Sequence, residues 1–70
     1  MKINVNGAIT QIDSLSDEIT LSKVLEILEY HPKQIVVEFN GIILPPNKWD
    51  QQKVKDEDSL EIVTIVGGGS

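Results

Sequence analysis

The sequence predicts an α+β fold, a mixed four- to five-stranded sheet with one helix packed on one face. Three observations predict it. The first twelve residues read as two short strands joined by Asn6-Gly7. A single amphipathic stripe follows from Leu21 to Leu28. The last apolar run, Leu60 to Val66, is apolar on both of its faces, as the central strand of a sheet usually is.

The elements follow in order. Lys2-Ile3-Asn4-Val5-Asn6 alternates, with Ile3 and Val5 on one side, the period of a strand with one buried face. Asn6-Gly7 is a hairpin signal, because a type I′ turn needs positive φ at both central residues. Ala8 to Ile12 returns as a second strand. Asp13 to Glu18 is polar and rich in turn formers. Thr20 is the expected N-cap of the helix, and Leu21, Val24, Leu25 and Leu28 fall at the spacing of one helical face. Ile19 and Val24 occupy the two positions of a hydrophobic staple. Lys23, Glu26 and Glu29 lie off the stripe. Pro32 disfavours αR in the residue before it, so the helix is expected to stop near Tyr30-His31.

Ile35 to Phe39 is another alternating strand, with Ile35, Val37 and Phe39 pointing one way. Asn40-Gly41 is a second turn signal. Ile42 to Leu44 is a short strand or extended segment, ended by Pro45-Pro46. Asn47 to Gln52 has room for one helical turn, Lys53-Val54 for a very short strand, and Asp56 to Ser59 for a turn. In the last strand Leu60, Ile62 and Val66 share one face, and Val63 and Ile65 the other. A central last strand beside the first makes the two parallel, with the helix in the crossover. That is the β-grasp arrangement.

Seventy residues make one domain. The division expected is a folded unit over 1–66 and a flexible glycine-rich tail over 67–70. There is no cysteine, hence no disulfide, thiolate metal site or thiol nucleophile. The absence of cysteine suits a cytoplasmic protein. No apolar run reaches the roughly 18 residues of a membrane span. Eleven acidic and six basic side chains give a net charge of −5, which argues against nucleic acid and suits docking on a basic partner surface.

Few residues carry chemistry. His31 is the only histidine and has no nucleophilic partner, so a surface or capping role is expected. Asp56-Glu57-Asp58 lacks the spacing of a calcium loop and reads as a solvated turn. Trp49 is either an interface anchor or a lid on a small core, and in a chain with three aromatics the lid is favoured. Gly67-Gly68-Gly69 follows a strand but precedes no helix, so it is no phosphate loop. It is either an inert end or a narrow, sterically open arm. No metal site, resident cofactor or autonomous catalysis is expected.

Taken together, the chain resembles the ThiS family, the ubiquitin-like β-grasp sulfur carriers of thiamine biosynthesis. The matching features are the short first strand, the Thr20-led helix and the segment Asn40-Gly41-Ile42-Ile43-Leu44-Pro45 followed by Trp49. The acidic turn before Leu60-Glu61-Ile62-Val63 and the tail Val66-Gly67-Gly68-Gly69 complete them. There are three departures. Pro46 stands where the family tends to have a basic residue. Glu57 stands where it usually has the glycine of an Asp-Gly-Asp turn. Ser70 follows Gly69, where the family ends in Gly-Gly.

The resemblance implies a protein co-substrate rather than an enzyme. An adenylating, ubiquitin-activating-like enzyme uses ATP on the C-terminal carboxylate. A persulfide enzyme supplies sulfur, and thiazole synthase receives it. Gly69 is then the thiocarboxylate site once it is C-terminal, with Gly68 beside it. Gly67, Ile42, Ile43 and Val63 are the expected partner-docking residues. A second possibility for these three apolar side chains is a small core under the loop from Pro45 to Gln52. Two alternatives stay open for the whole chain: a carrier for another pathway, like the small subunit of molybdopterin synthase, and a β-grasp interaction module whose tail is only an end.

Overall fold

A computed structural model describes residues 1–13 and 18–65. Its strands are β1 (Lys2–Val5), β2 (Ala8–Gln11), β3 (Ile19–Thr20), β4 (Ile35–Phe39), β5 (Ile42–Leu44), β6 (Lys53–Val54) and β7 (Ser59–Thr64). The helix is α1 (Leu21–Ile27). Five strands form one mixed sheet in the order β2-β1-β7-β4-β5, and β3 pairs with β6 in a second, two-stranded sheet. β7 is central. It runs parallel to β1 and antiparallel to β4. The single-helix mixed sheet expected from the sequence is therefore present, with five strands and the β-grasp connectivity.

Both Asn-Gly pairs form the turns their chemistry favours. Asn6 and Gly7 have φ of 52° and 85°, and Asn40 and Gly41 have 49° and 88°. Positive φ at both central residues matches the right-handed twist of the flanking strands. Asn tolerates it because its short polar side chain bonds locally.

Thr20 caps α1, its hydroxyl accepting from the Lys23 N–H at 3.2 Å. The helix stops earlier than Tyr30-His31. Glu29 adopts φ of 63°, the Glu29 N–H donates to the Glu26 carbonyl, and the Tyr30 N–H reaches back to the Leu25 carbonyl. This is a Schellman closure, with a glutamate in the place glycine usually takes. His31 does not serve the helix C-terminus. Its Nδ1 accepts from the Lys33 N–H and caps the 3-10 turn Pro32–Gln34 that leads into β4.

The core lies between α1 and one face of the large sheet. Leu21, Val24 and Leu25 are buried with Ile3, Val5, Val37, Leu60 and Ile62, and Leu28 packs half-buried at the edge. Ile19, the first residue of the staple, is buried with Val24. Trp49 is 3% exposed and closes this core from the side. Its indole N–H donates to the Leu44 carbonyl at 2.9 Å, so burying the ring leaves no unpaired donor. The lid role expected for it holds.

Two features differ from the sequence expectation. β3 lies in what reads as the approach to the helix, and it pairs Ile19 with Val54. The two apolar faces of the last strand are not treated alike. Leu60 and Ile62 are buried, whereas Val63 on the far face is exposed. Centrality in this sheet comes from hydrogen bonding on both edges, and no second layer covers the far side among the described residues.

Candidate functional site

The site is organised around β7, because β7 leads in sequence into the glycines. Side-chain amides from both hairpin turns clamp it. Asn6 Oδ1 accepts from the Ile62 N–H at 2.6 Å, and Asn6 Nδ2 donates to the Ile62 carbonyl at 3.1 Å. On the other side, Asn40 Oδ1 accepts from the Ser59 N–H at 2.8 Å, and the Asn40 N–H donates to the Ser59 carbonyl. The Ile65 N–H donates to the Gln34 carbonyl at 2.6 Å, extending the β4 side of the pairing one residue past Thr64. Every backbone group satisfied this way is one fewer to desolvate without a partner. The strand is thus held as far as Ile62 on the β1 side and as far as Ile65 on the β4 side.

The acidic turn before β7 is held just as closely. Asp56 Oδ1 accepts from the Lys2 N–H, Asp58 Oδ2 accepts from the Lys55 N–H, and the Glu57 N–H donates to the Lys2 carbonyl. Glu57 itself carries φ of 72°, the strained conformation that a glycine would take freely. The turn therefore spends the Asp56 carboxylate on a backbone amide of β1 and the Asp58 carboxylate on the turn's own Lys55 amide. Among the described residues no group of three His, Cys, Asp or Glu side chains is placed to hold a metal ion.

The expected docking residues separate by register. Ile43 faces Glu38 across β4–β5, and Glu38 faces Glu61 across β4–β7. Val36 faces Val63. Residues opposite one another share a face, so Ile43, Val63, Val36, Glu38 and Glu61 all lie on the side away from α1. Ile42 instead faces Phe39, in phase with the buried Val37, and belongs to the helix-side face at the sheet edge. Ile42, Ile43 and Val63 are 65%, 64% and 61% exposed, so they fill no small core under the Pro45–Gln52 loop. Val36 and Ile65 join the outer apolar surface. Alternation in Ile35-Val36-Val37 is the signal that points Val36 outward. Gly67, Gly68 and Gly69 lie outside the described residues.

Elsewhere the described residues form surface grooves. One, of about 340 Å³, runs between α1 and the Pro46–Trp49 turn and is lined by Leu25, Tyr30, Pro32 and Trp49. At another point Lys53 bonds Glu18 and holds that carboxyl below the ordinary glutamate value, first through the hydrogen bond and then through its charge. No helix among the described residues is long and apolar enough to cross a membrane.

The comparison that decides the family is with the ThiS family model, which matches residues 3–69 and so includes the three glycines. The chain belongs to the ThiS family. The crystal structure of the thiamine biosynthesis protein ThiS from Geobacter metallireducens superimposes with a TM-score of 0.82 at 30% identity, covering 99% of this chain and all of that one. The ycf40 protein of Pyropia yezoensis is 35% identical over 69 residues, spanning 99% of this chain and 93% of its own length. A thiazole synthase of Paramagnetospirillum magneticum is 36% identical over the whole of this chain, which spans 21% of that longer protein. ThiS-family proteins are small sulfur carriers of β-grasp fold, and this chain has that fold.

Proposed function

We propose that this chain carries sulfur for thiazole formation as a thiocarboxylate on Gly69. The observation that carries the proposal is the family match, which runs through the β-grasp domain and on to Gly69. An adenylating enzyme binds the carrier, and a carboxylate oxygen of Gly69 attacks the α-phosphorus of ATP, releasing pyrophosphate. A persulfide sulfur then attacks the acyl carbon and AMP leaves. A second thiol then attacks the outer sulfur of the resulting acyl disulfide, forming a disulfide with the persulfide enzyme's cysteine and releasing the thiocarboxylate as the S–S bond breaks. Thiazole synthase takes up that sulfur. The match to a fifth-length segment of a thiazole synthase supports this partner.

The chain's own contribution is positional. Its sequence has no cysteine, so covalently carried sulfur is assigned to the terminal carboxyl. Gly67, Gly68 and Gly69 have no Cβ, which lets the arm enter a narrow active site and keeps the acyl carbon open to attack. Ordering such an arm on binding costs about 1–2 kcal/mol per residue in backbone entropy. Contacts of the folded domain with the enzyme offset that cost, and the outer face bearing Ile43 and Val63 is where we place them. The clamps hold β7, the strand that leads in sequence to the arm, in register with that face.

Ser70 follows Gly69 in the sequence, and any residue joined there leaves Gly69 without a free carboxylate. Reaction at Gly69 therefore requires a chain that ends there. The experiment is intact-mass analysis of the full chain and of a chain ending at Gly69, each with activating enzyme, ATP and a sulfur donor. The trimmed chain is expected to exchange one oxygen for sulfur. Gly69→Val in the trimmed chain is expected to block the exchange while leaving the fold unchanged. A trimmed chain that takes no sulfur overturns the proposal. A full chain that reacts equally well without losing Ser70 overturns the assignment to Gly69.

A further inference from the structure

The two Asn-Gly turns hold a second chemistry, independent of sulfur transfer. In an Asn-Gly pair the backbone nitrogen of glycine can attack the side-chain amide carbon of asparagine, because no Cβ shields that nitrogen. Whether it does so in a folded chain depends on how both groups are held, and the two turns hold them differently.

At the first turn both reacting groups are engaged. The Asn6 amide makes its two part-buried bonds to the Ile62 backbone, on the central strand. The Gly7 N–H donates to Asn4 Oδ1 at 2.8 Å. At the second turn only the amide is engaged. Asn40 Oδ1 accepts from the Ser59 N–H at 2.8 Å, and Asn40 Nδ2 donates to Asp58 Oδ1 at 3.1 Å, both at the exposed surface. The Gly41 N–H has no acceptor among the described residues. This turn joins β4 to β5, a three-residue strand at the sheet edge. β2, which follows the first turn, is an edge strand too, so the turns differ in the engagement of the glycine N–H and in the burial of the asparagine amide rather than in edge position.

We propose that Asn40-Gly41 is a site of spontaneous deamidation in the folded protein and that Asn6-Gly7 is protected. The Gly41 nitrogen loses its proton to water or hydroxide and bonds to Asn40 Cγ. The Cγ–Nδ2 bond breaks and ammonia leaves, closing a succinimide. Water then adds to either ring carbonyl and opens the ring, giving aspartate or isoaspartate at position 40. No electron transfer is involved. The aspartate product sets a second carboxylate against Asp58. The isoaspartate product lengthens the backbone inside a two-residue turn and disturbs the register of β5, which carries Ile42 and Ile43.

The test is peptide mapping of the full chain aged at mildly alkaline pH, with fragmentation that separates aspartate from isoaspartate. The peptide with Asn40 is expected to exchange NH2 for OH first. One hydrogen bond's net worth corresponds to roughly five-fold in rate, so at least that lead over Asn6 is expected. In denaturant the two rates should converge. Asn4→Ala frees the Gly7 N–H and should raise the Asn6 rate, while Asn4→Asp keeps an acceptor and should hold it low. Asn6 keeping pace with Asn40 in the folded chain overturns the proposal. So does an Asn40 that stays intact while the denatured chain converts. Equal Asn6 rates in the two Asn4 variants overturn the protective role given to that bond.

Discussion

The side chain of Asn6 stands in for a strand residue against Ile62. Its amide accepts from the Ile62 N–H at 2.6 Å and donates to the Ile62 carbonyl at 3.1 Å, the two bonds a backbone neighbour would make. β1 ends at Val5, where the chain enters its turn, while β7 continues to Thr64. Without this amide, two backbone groups of the central strand would lose their partners just before the strand leads toward the glycines.

Asn6→Ala should therefore cost about 1–3 kcal/mol, the penalty for leaving partly buried polar groups unpaired. Asn6→Gly removes the same bonds but keeps an easy positive φ, so it should cost less than the alanine variant. Denaturant melts give both values. Amide exchange at Ile62 should accelerate in either variant. Wild-type exchange at Ile62 with a lowered melt would place the loss in the turn alone.

Glu29 and Glu57 sit at φ of 63° and 72°. Neither position requires the glutamate side chain for a buried contact, since both are exposed. A non-glycine residue in this region carries a cost of roughly 1–2 kcal/mol. Glycine removes it and loses part of the gain to unfolded-state entropy. Glu29→Gly and Glu57→Gly should each stabilise the protein by about 0.5–1 kcal/mol on these grounds. The sites share no partner, so the double variant should show the sum. Thermal or denaturant melts of the three variants check this, and a destabilised Glu57→Gly would mean its side chain does something the fold does not reveal.

Leu25 is buried on the helix face that meets the sheet. Leu25→Ala should cost about 2–5 kcal/mol through lost transfer energy and the cavity left behind. At typical per-residue stabilities a chain of this size has only about 4–10 kcal/mol in total. The variant should melt far below the wild type or be partly unfolded at room temperature by circular dichroism.

How much of this was legible beforehand follows from where the forces are local. The Asn-Gly turns, the Thr20 cap and the stripe Leu21, Val24, Leu25, Leu28 depend on neighbours within a few residues, and the sequence shows them directly. Gly67 to Gly69 could be singled out for the same reason, from composition alone. The β3–β6 pair could not, because Ile19 and Val54 are distant in sequence and each strand is two residues long. The clamp of Asn6 on Ile62 was also hidden: the sequence reveals a turn asparagine but not which strand passes its side chain. Which face each docking candidate occupies was hidden for a related reason. Ile42 and Ile43 are adjacent and both apolar, and only the register with Phe39 and Glu38 tells which one faces away from the helix.

That register yields the sharpest test of the docking face. Ile43 and Val63 lie on the side away from α1, and Ile42 lies in phase with Phe39 on the other. If the activating enzyme packs on the outer face, burying Ile43 or Val63 contributes about 1.5–3 kcal/mol each. Ile43→Lys and Val63→Lys should then lower kcat/KM for the carrier roughly ten- to a hundred-fold. Lysine at 43 stands opposite Glu38, and both parent side chains are exposed, so melting should shift little. Ile42→Lys should leave activation much closer to wild type. The measurement is the rate of adenylation of chains ending at Gly69 at varying carrier concentration, with a melt of each variant alongside. Equal losses at 42 and 43 would mean that the enzyme grips the β5 edge rather than the sheet face. No loss at either 43 or 63 would remove the outer face from the interface and leave the glycine arm as the part of the carrier that the enzyme reads.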